Sequence, residues 1–446
     1  MSNNIISAFS KNAQNTSKLQ KSIEIHNKLL NKVSLTWVGK ISEHFEKISR
    51  IATYINGYAF KSEFLDLYKK VPVIRIGDIQ NGILNYDTCL KYDELNNLNN
   101  YLLKKNDIVI ALSGATVGKT AYVTSERLAY INQRVGIIRN ASKYLLYCLN
   151  TDTFGQYINF LSLGSAQPNI SMRQIRNFPI PSISRDEQQK IADYLDDKCG
   201  AIDEIISKTE QSIEEYKKLK QSVITKAVTK GIRPNRPMQD SDIEWIGEIP
   251  QDWEIKKIKY LFRLRDERNT SPLSEVNLIS LYTDLGVIQH CDIEATTGNK
   301  AQTADGYKKV YNDDIVVNII LCWMGAIGRS AYDGVTSPAY DVYKPIDNTN
   351  SRFYHYYFRT KGFNGECYQV GRGIMLMRWR TYSEQFKAIK VVVPPLDEQK
   401  EIADYLDEKC AKIDTLIQKK QQFLAEMANY KKSLIYEYVT GKKEVA

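Results

Sequence analysis

Ser113 to Thr120 reads SGATVGKT, directly after the strand-like DIVIAL. A phosphate-binding loop needs G-x-x-x-x-G-K-[ST], so that successive backbone N–H groups wrap the phosphates. Here only three residues separate Gly114 from Gly118, and the loop is one residue short. The second half of the chain reads GAIGRS, with Gly325 and Gly328 closer still and Arg329 in place of the lysine. Both are read as tight turns that deliver a basic residue. The triplet Glu398-Gln399-Lys400 resembles half of a nuclease E-x-K arrangement, but the similar Glu187-Gln188-Gln189 lacks the lysine. His26, His44, His290 and His355 have no ligand spacing, so no metal site is expected. Neither a cofactor loop for adenine methylation nor a Ser/His/Asp or Cys/His constellation is present. The sequence reads as catalytically empty.

Basic residues do collect in the two halves. Lys119, Thr120, Arg134, Arg173 and Arg176 in the first, and Arg329, Arg372, Arg378 and Arg380 in the second, are candidate DNA contacts. The run GRGIMLMRWR mixes arginines with Trp379, a composition suited to phosphate contact and stacking. The net charge of +9 over 446 residues is a moderate excess, weak evidence for nucleic acid by itself. The seven cysteines are scattered without a CxxC pair, so neither a disulfide framework nor a zinc ribbon is expected. With no signal-peptide-like N-terminus and no apolar run long enough to span a bilayer, a cytoplasmic setting is expected. The longest such run, IVVNIILCWMGAI from Ile315, reads as buried strand.

The elements that position these residues are written twice. DEQQKIADYLDDKCGAIDEII from Asp186 and DEQKEIADYLDEKCAKIDTLI from Asp397 agree at 14 of 21 positions, with a constant offset of 211. WVGKISEHFEKI at Trp37 and WIGEIPQDWEIKKI at Trp245 are offset by 208. Near-equal offsets over both signatures indicate duplication of a whole unit. The repeated segment opens a long helix. Leu195, Cys199, Ile202, Ile206 and Ile213 hold alternating spacings of four and three, or their sum, as do Leu406, Cys410, Ile413, Ile417 and Leu424. That is a coiled-coil seam, weakened at Thr209, Lys220, Lys420 and Lys431. A capping box from Ser184 and Glu187 starts the first helix, and Pro394 and Pro395 precede the second. Each would run for about 65 Å at 1.5 Å per residue and needs a partner for its stripe.

The expected organisation is an extension over 1–36, a globular domain over 37–181, a helix over 182–230 and a linker over 231–244. A second globular domain over 245–393 and a second helix over 394–442 follow. Short β-rich runs such as VPVIRIGDI and VNLISLYTD make both globular parts mixed α/β. The fold class is therefore α+β: two globular domains separated by two long helices, with an internal repeat.

The lead-ins FPIPSI and VVVPPL, the DEQ…IADYLD helices and WIGEIPQDWEIKKIK together resemble the specificity subunits of type I restriction-modification systems. GDIQNG, INQRVGI, QPNIS and SPAYDVY add to the likeness, which covers nearly the whole chain beyond residue 36. The resemblance implies a non-catalytic subunit. Each half would hold a target recognition domain reading one part of a bipartite, asymmetric sequence in double-stranded DNA. The helices would pair as an antiparallel coiled coil with pseudo-twofold symmetry, set the spacing and dock two methyltransferase subunits. That arrangement implies no disulfide between Cys199 and Cys410. S-adenosylmethionine for adenine-N6 methylation, and ATP and Mg for cleavage by restriction subunits, would reside on those partners, with no cofactor on this chain. Two rivals remain: a P-loop-like NTPase at Gly114–Thr120, and a coiled-coil interaction protein independent of DNA.

One heptad of helix is about 10 Å, the length of roughly three base pairs. Deleting one heptad from both helices is expected to shorten the gap between half-sites and leave their bases unchanged. Methylome sequencing checks this, and altered half-site bases with an unaltered gap would contradict it.

Overall fold

The structure, a computed structural model, describes residues 45–80, 82–162, 168–283, 285–292, 303–373 and 379–445. The expected extension over 1–36, the Trp-Gly element at Trp37 and the candidate contact Arg378 lie outside them. The chain forms two compact units. Unit 1 holds the residues up to Lys208 together with Phe423 onward, and unit 2 holds Thr209–Gln422. The division cuts through both long helices, so each unit is a globular part with a portion of each helix.

In unit 1 an antiparallel sheet runs in the order Thr53–Asn56, Val135–Arg139, Ile108–Ala111, Thr120–Tyr122. Helices α1 (Lys143–Leu149), α2 (Asp152–Leu161) and α3 (Met172–Ile175) follow, and Pro179–Pro181 pairs with Phe45–Lys47. The strand Ile108–Ala111 is buried on both faces, with Ile108 and Ile110 in one apolar cluster and Val109 and Ala111 in another. That is the period-2 alternation of a strand between two packed layers.

Unit 2 repeats the order with Phe262–Arg265, Tyr340–Pro345, Ile315–Asn318 and Ile327–Arg329. Its helices are α5 (Ser351–Phe358), α6 (Lys361–Val370) and α7 (Ser383–Ala388), and Lys390–Val393 pairs with Glu254–Lys257. Each of these elements starts 205 to 211 residues after its counterpart. The duplication read from two short signatures is thus a duplication of topology, including the middles where the sequences diverge. The run from Ile315 is strand only as far as Asn318, however. The Asn318 carboxamide accepts the N–H groups of Ile320 and Leu321, at 3.0 and 3.3 Å, and bends the chain into a turn.

Both sheets rest on the same turn. Asn106 and Asp313 take positive φ of 70° and 72°. The next residues, Asp107 and Asp314, are buried and accept the N–H of Lys104 and Tyr311 at 2.8 and 2.9 Å. Their charges are neutralised differently. Arg139 forks onto Asp107 at 2.8 and 2.7 Å, whereas Asp314 takes Arg265 from a different strand at 2.8 Å. Arg265 also binds Glu267 at 2.5 Å.

The long helices are α4 (Arg185–Lys230) and α8 (Leu396–Val439). Ser184 and Glu187 form the expected capping box, with the Ser184 N–H donating to the carboxylate at 3.0 Å and its hydroxyl accepting the Glu187 N–H at 3.2 Å. In unit 1, Leu195, Cys199 and Ile202 pack with Leu434, Ile435 and Tyr438, and Ile206 is half-buried beside them. In unit 2, Ile224 and Ala227 pack with Ile402, Leu406 and Cys410. Ile213 and Ile413 are buried, and Ile417 and Leu424 half-buried. Early α4 residues meet late α8 residues in unit 1, and late meet early in unit 2, so the pairing within each unit is antiparallel. Cys199 and Cys410 accordingly sit in different clusters. The polar seam positions are used, not merely tolerated. Lys431 bridges Asp203 and Lys220 bridges Asp414, both at 2.6 Å, and the Lys420 ammonium lies 5.7 Å from the Tyr216 ring centroid.

The segment expected as a linker, 231–244, is built into unit 2. Arg236 pairs with the buried Glu398, Arg233 with Glu401 at 2.8 Å, and Met238–Asp240 pairs with Glu248–Pro250. Trp253 Nε1 donates to Glu398 at 3.0 Å. The E-x-K triplet is therefore a structural anchor.

Removing Asp107 strands a mostly buried guanidinium, so Asp107→Ala should destabilise unit 1 by about 3–5 kcal/mol. Asp314→Ala should cost unit 2 less, about 1–3 kcal/mol, because Glu267 still faces Arg265. Hydrogen exchange of peptides from each sheet measures both. Equal losses, or the reverse order, would contradict the assignment.

Candidate nucleic-acid interface

Each unit brings a strand-linking turn and a loop to one corner. In unit 1 the turn is 112–119 and the loop ends at 168–171: Ile170 N–H donates to Leu112 O, and Gly114 N–H to Pro168 O, both at 2.9 Å. In unit 2 the turn is 319–326 and the loop ends at 379–382, where Thr381 N–H donates to Ile319 O at the same 2.9 Å. The unit 1 turn has an additional left-handed glycine, Gly114 at φ 76°, and each turn has one just before its last residue, Gly118 at φ 82° and Gly325 at φ 93°, in a conformation that side chains resist. These two are the true counterparts.

That pairing corrects the alignment of GKT with GRS. Tyr122 faces Ile108 across the sheet, and Arg329 faces Ile315 in the same place. Arg329 therefore corresponds to Tyr122, Gly328 lies within a strand, and Lys119 corresponds to the buried Ala326. Arg329 is half-buried and bound to Asp313 at 2.5 Å, and its N–H donates to His355 Nδ1 at 3.2 Å. Burial, with Arg359 and Arg329 nearby, pushes His355 down to about 3, which keeps it a neutral acceptor. Arg329 is a structural ion pair and not a free contact.

Thr120 is also corrected. It is 4 % exposed, and its hydroxyl donates to Asn150 Oδ1 at 3.1 Å, out of reach of a duplex. The chain after Lys119 is a strand, Thr120–Tyr122, and not a helix. The SGATVGKT turn therefore does not lead into a helix, as the phosphate cradle of a P-loop requires.

The remaining candidates are exposed or half-exposed. Lys119 and Arg134 are exposed at the unit 1 corner, where Leu112 N–H donates to Arg134 O at 2.9 Å. Arg173 and Arg176 are exposed on and just after α3, and the Arg176 guanidinium lies 5.3 Å from the Tyr54 ring centroid. At the unit 2 corner, the exposed Arg372 and half-buried Arg380 exchange backbone hydrogen bonds at 2.8 and 2.9 Å. Beside them Tyr368 and Trp379 stack at 5.0 Å, and Trp323 lies 5.6 Å from Tyr368. Trp379 is held by an Nε1–H bond to Tyr368 O at 3.0 Å and by Gly371, where any Cβ would strike the indole.

Several corner residues lie outside the basic candidates. Asn56, Gln133 and Asn169 in unit 1, and Trp323 and Tyr368 in unit 2, carry no charge and no motif. The phrases INQRVGI and QPNIS contain two of them, so a signal was present without a chemical reason attached. Among the described residues no group of three or more His, Cys, Asp or Glu is placed to hold a metal ion. No helix among them is long and apolar enough to cross a membrane.

Comparison with known proteins agrees with this architecture. The domain described as "Type I restriction modification DNA specificity domain" matches residues 43–215 and again 250–425. The type I restriction enzyme MjaVIII specificity subunit of Methanocaldococcus jannaschii is 24% identical over 360 residues, spanning 77% of this chain and 80% of its own. The EcoBI specificity subunit of Escherichia coli is 23% identical over 430 residues, spanning 88% and 84%. A solved chain from work on "complex assembly and conformational transition of the type I R-M system" superposes with a TM-score of 0.65 at 12% identity, covering 91% of this chain and 100% of that one. At that identity the likeness speaks for the fold alone. Two matches of one domain, falling on two units of one topology, establish that the chain belongs to the type I restriction-modification DNA specificity family.

Proposed function

We propose that this chain is the sequence-reading, non-catalytic subunit of a type I restriction-modification complex. The corner of each unit reads one part of a bipartite, asymmetric target in double-stranded DNA. The observation that carries this is where the two copies differ. Turns and loops held by equivalent backbone hydrogen bonds present SGATVGK and PNIS in one unit and IILCWMGA and WRTY in the other. A duplicated scaffold that varies its exposed corner suits two different ligands of one chemical class. Lys119, Arg134, Arg173 and Arg176 give unit 1 a phosphate-facing charge, and Arg372 and Arg380 do so for unit 2.

The helix pair sets the spacing and docks two methyltransferase subunits, which carry S-adenosylmethionine and the adenine-N6 chemistry. Restriction subunits that join the complex supply ATP- and Mg-dependent cleavage. This chain binds no cofactor in that scheme, and it works where the DNA is, in the cytoplasm.

Binding by the chain in complex with its methyltransferase partner should be sequence-dependent and fall steeply with salt. Single changes Lys119→Ala, Arg134→Ala, Arg372→Ala and Arg380→Ala should each lower the salt slope by about one counterion where the residue meets phosphate. Arg329→Ala should leave the slope unchanged. Equal affinity for all sequences in the presence of the partner would remove the reading.

A further inference from the structure

The unit 1 corner encloses a polar cleft of about 560 Å³ lined by Asn56, Ser113, Gln133, Arg134, Asn169 and Ser171. Ser113 is 8 % exposed, and its Oγ is buried with no hydrogen-bond partner among the described residues. Buried hydroxyls in native folds are usually met, so one left open in the lining of a polar cleft is available to a group that enters it. Ser113 and Asn169 form an isolated antiparallel bridge, which puts their side chains on one side of the ladder. The exposed carboxamides of Asn56, Gln133 and Asn169 also make no hydrogen bond among the described residues. Three unengaged carboxamides around an unmet hydroxyl form an array of paired donors and acceptors. That pattern is complementary to a base edge and ill-suited to phosphate, which only accepts.

A carboxamide matches adenine in the major groove, its N–H donating to N7 while its oxygen accepts from the N6 amino group. We propose that this cleft takes the major-groove edge of an adenine in the half-site read by unit 1, with Asn169 making the two-bond contact. Gln133 and the Ser113 hydroxyl complete the recognition of that edge, and Arg134 at the rim meets the backbone. The counterpart corner of unit 2 is built otherwise. Ile320 follows the turn-starting Ile319 where Ser113 follows Leu112, and Arg380 precedes Thr381 where Asn169 precedes Ile170. The pairing of Ser113 with Asn169 therefore has no counterpart at the equivalent positions of unit 2. The proposal rests on the DNA-reading function proposed above and assigns its chemistry in one half.

The test is the methylated motif in cells expressing the full chain with its methyltransferase partner, read by long-read methylome sequencing. Asn169→Asp replaces the donor by a second acceptor, which repels N7 and suits the cytosine amino group. It should shift one position of one half-site from adenine towards cytosine by about tenfold, the lower range for a two-bond base contact. Asn169→Ala and Gln133→Ala, which add no charge, should relax bases in that same half-site and leave the other intact. Complex assembly by gel filtration confirms that each variant is folded. An unchanged motif in Asn169→Ala and Gln133→Ala, or equal relaxation of both half-sites, overturns the proposal. A wild-type complex with no motif at all would instead overturn the DNA-reading function itself.

Discussion

In each unit a carboxylate at the same place on the long helix takes two side chains from the globular part. Asp196 of α4 accepts the Tyr147 hydroxyl and the Lys143 ammonium, both at 2.6 Å. Asp407 of α8, 211 residues later, accepts the Tyr356 hydroxyl at 2.6 Å and the Arg352 guanidinium. Burial first, and then the carboxylate, pushes both tyrosines well above the usual phenol range, so each stays a donor. Two turns earlier on α8 the buried Gln399 accepts the Asn350 N–H at 2.8 Å, and on α4 Gln188 accepts the Ser142 hydroxyl at 2.6 Å. These joints add direction to the apolar stripe of a helix of more than forty residues, since a stripe alone tolerates sliding. Directional bonds to an ionised group do not. The corners can present side chains reproducibly only because this register is fixed.

The same joints explain the wording of the repeated segment. In DEQxxIADYLDxKC the Gln and the second Asp of IADYLD hold the globular part, while Ile191, Ala192, Leu195 and Cys199 form the buried face. Cys199 is pushed up to about 11, chiefly by burial, and acts as a small apolar residue. Positions outside these roles, such as Lys190 and Glu401, differ between the copies. The buried Asp107 and Asp314 obey a looser constraint. The turn demands the carboxylate, but any strand close enough can supply the cation, and the copies chose different ones.

How much of this was legible follows from the range of each interaction. The seam was readable at Leu195 through Leu424 because helical burial repeats within a few residues. The duplication was readable because the joints keep polar residues in place. The corners were not, since their residues come from segments more than fifty positions apart and are joined only by backbone hydrogen bonds, which leave no trace in side-chain identity. Thr120 looked like a phosphate ligand because GKT is a motif, yet the strand it opens turns its hydroxyl to Asn150. Arg329 looked equivalent to Lys119 because both follow a glycine. Only strand register, Ile108 against Tyr122 and Ile315 against Arg329, exposes the three-residue slip.

That slip shows why the corner is free to vary. The ladder continues past both strands in the same way, with Ala111 N–H donating to Lys119 O at 2.9 Å and Asn318 N–H to Ala326 O at 3.0 Å. Between those fixed ends the demand on sequence is small: a residue able to adopt positive φ at Gly118 and Gly325, and in unit 1 at Gly114 also, and a peptide at 170 or 381 to close the loop. Neither demand touches the side chains at 113, 115, 169, 323 or 379. Substitution at the corner therefore changes what the unit can meet without disturbing Ile108, Ile110 or the helix joints beneath, whose burial holds the fold. In such a chain specificity and stability draw on separate residues, and the separation is enforced by backbone hydrogen bonds that are indifferent to side chain.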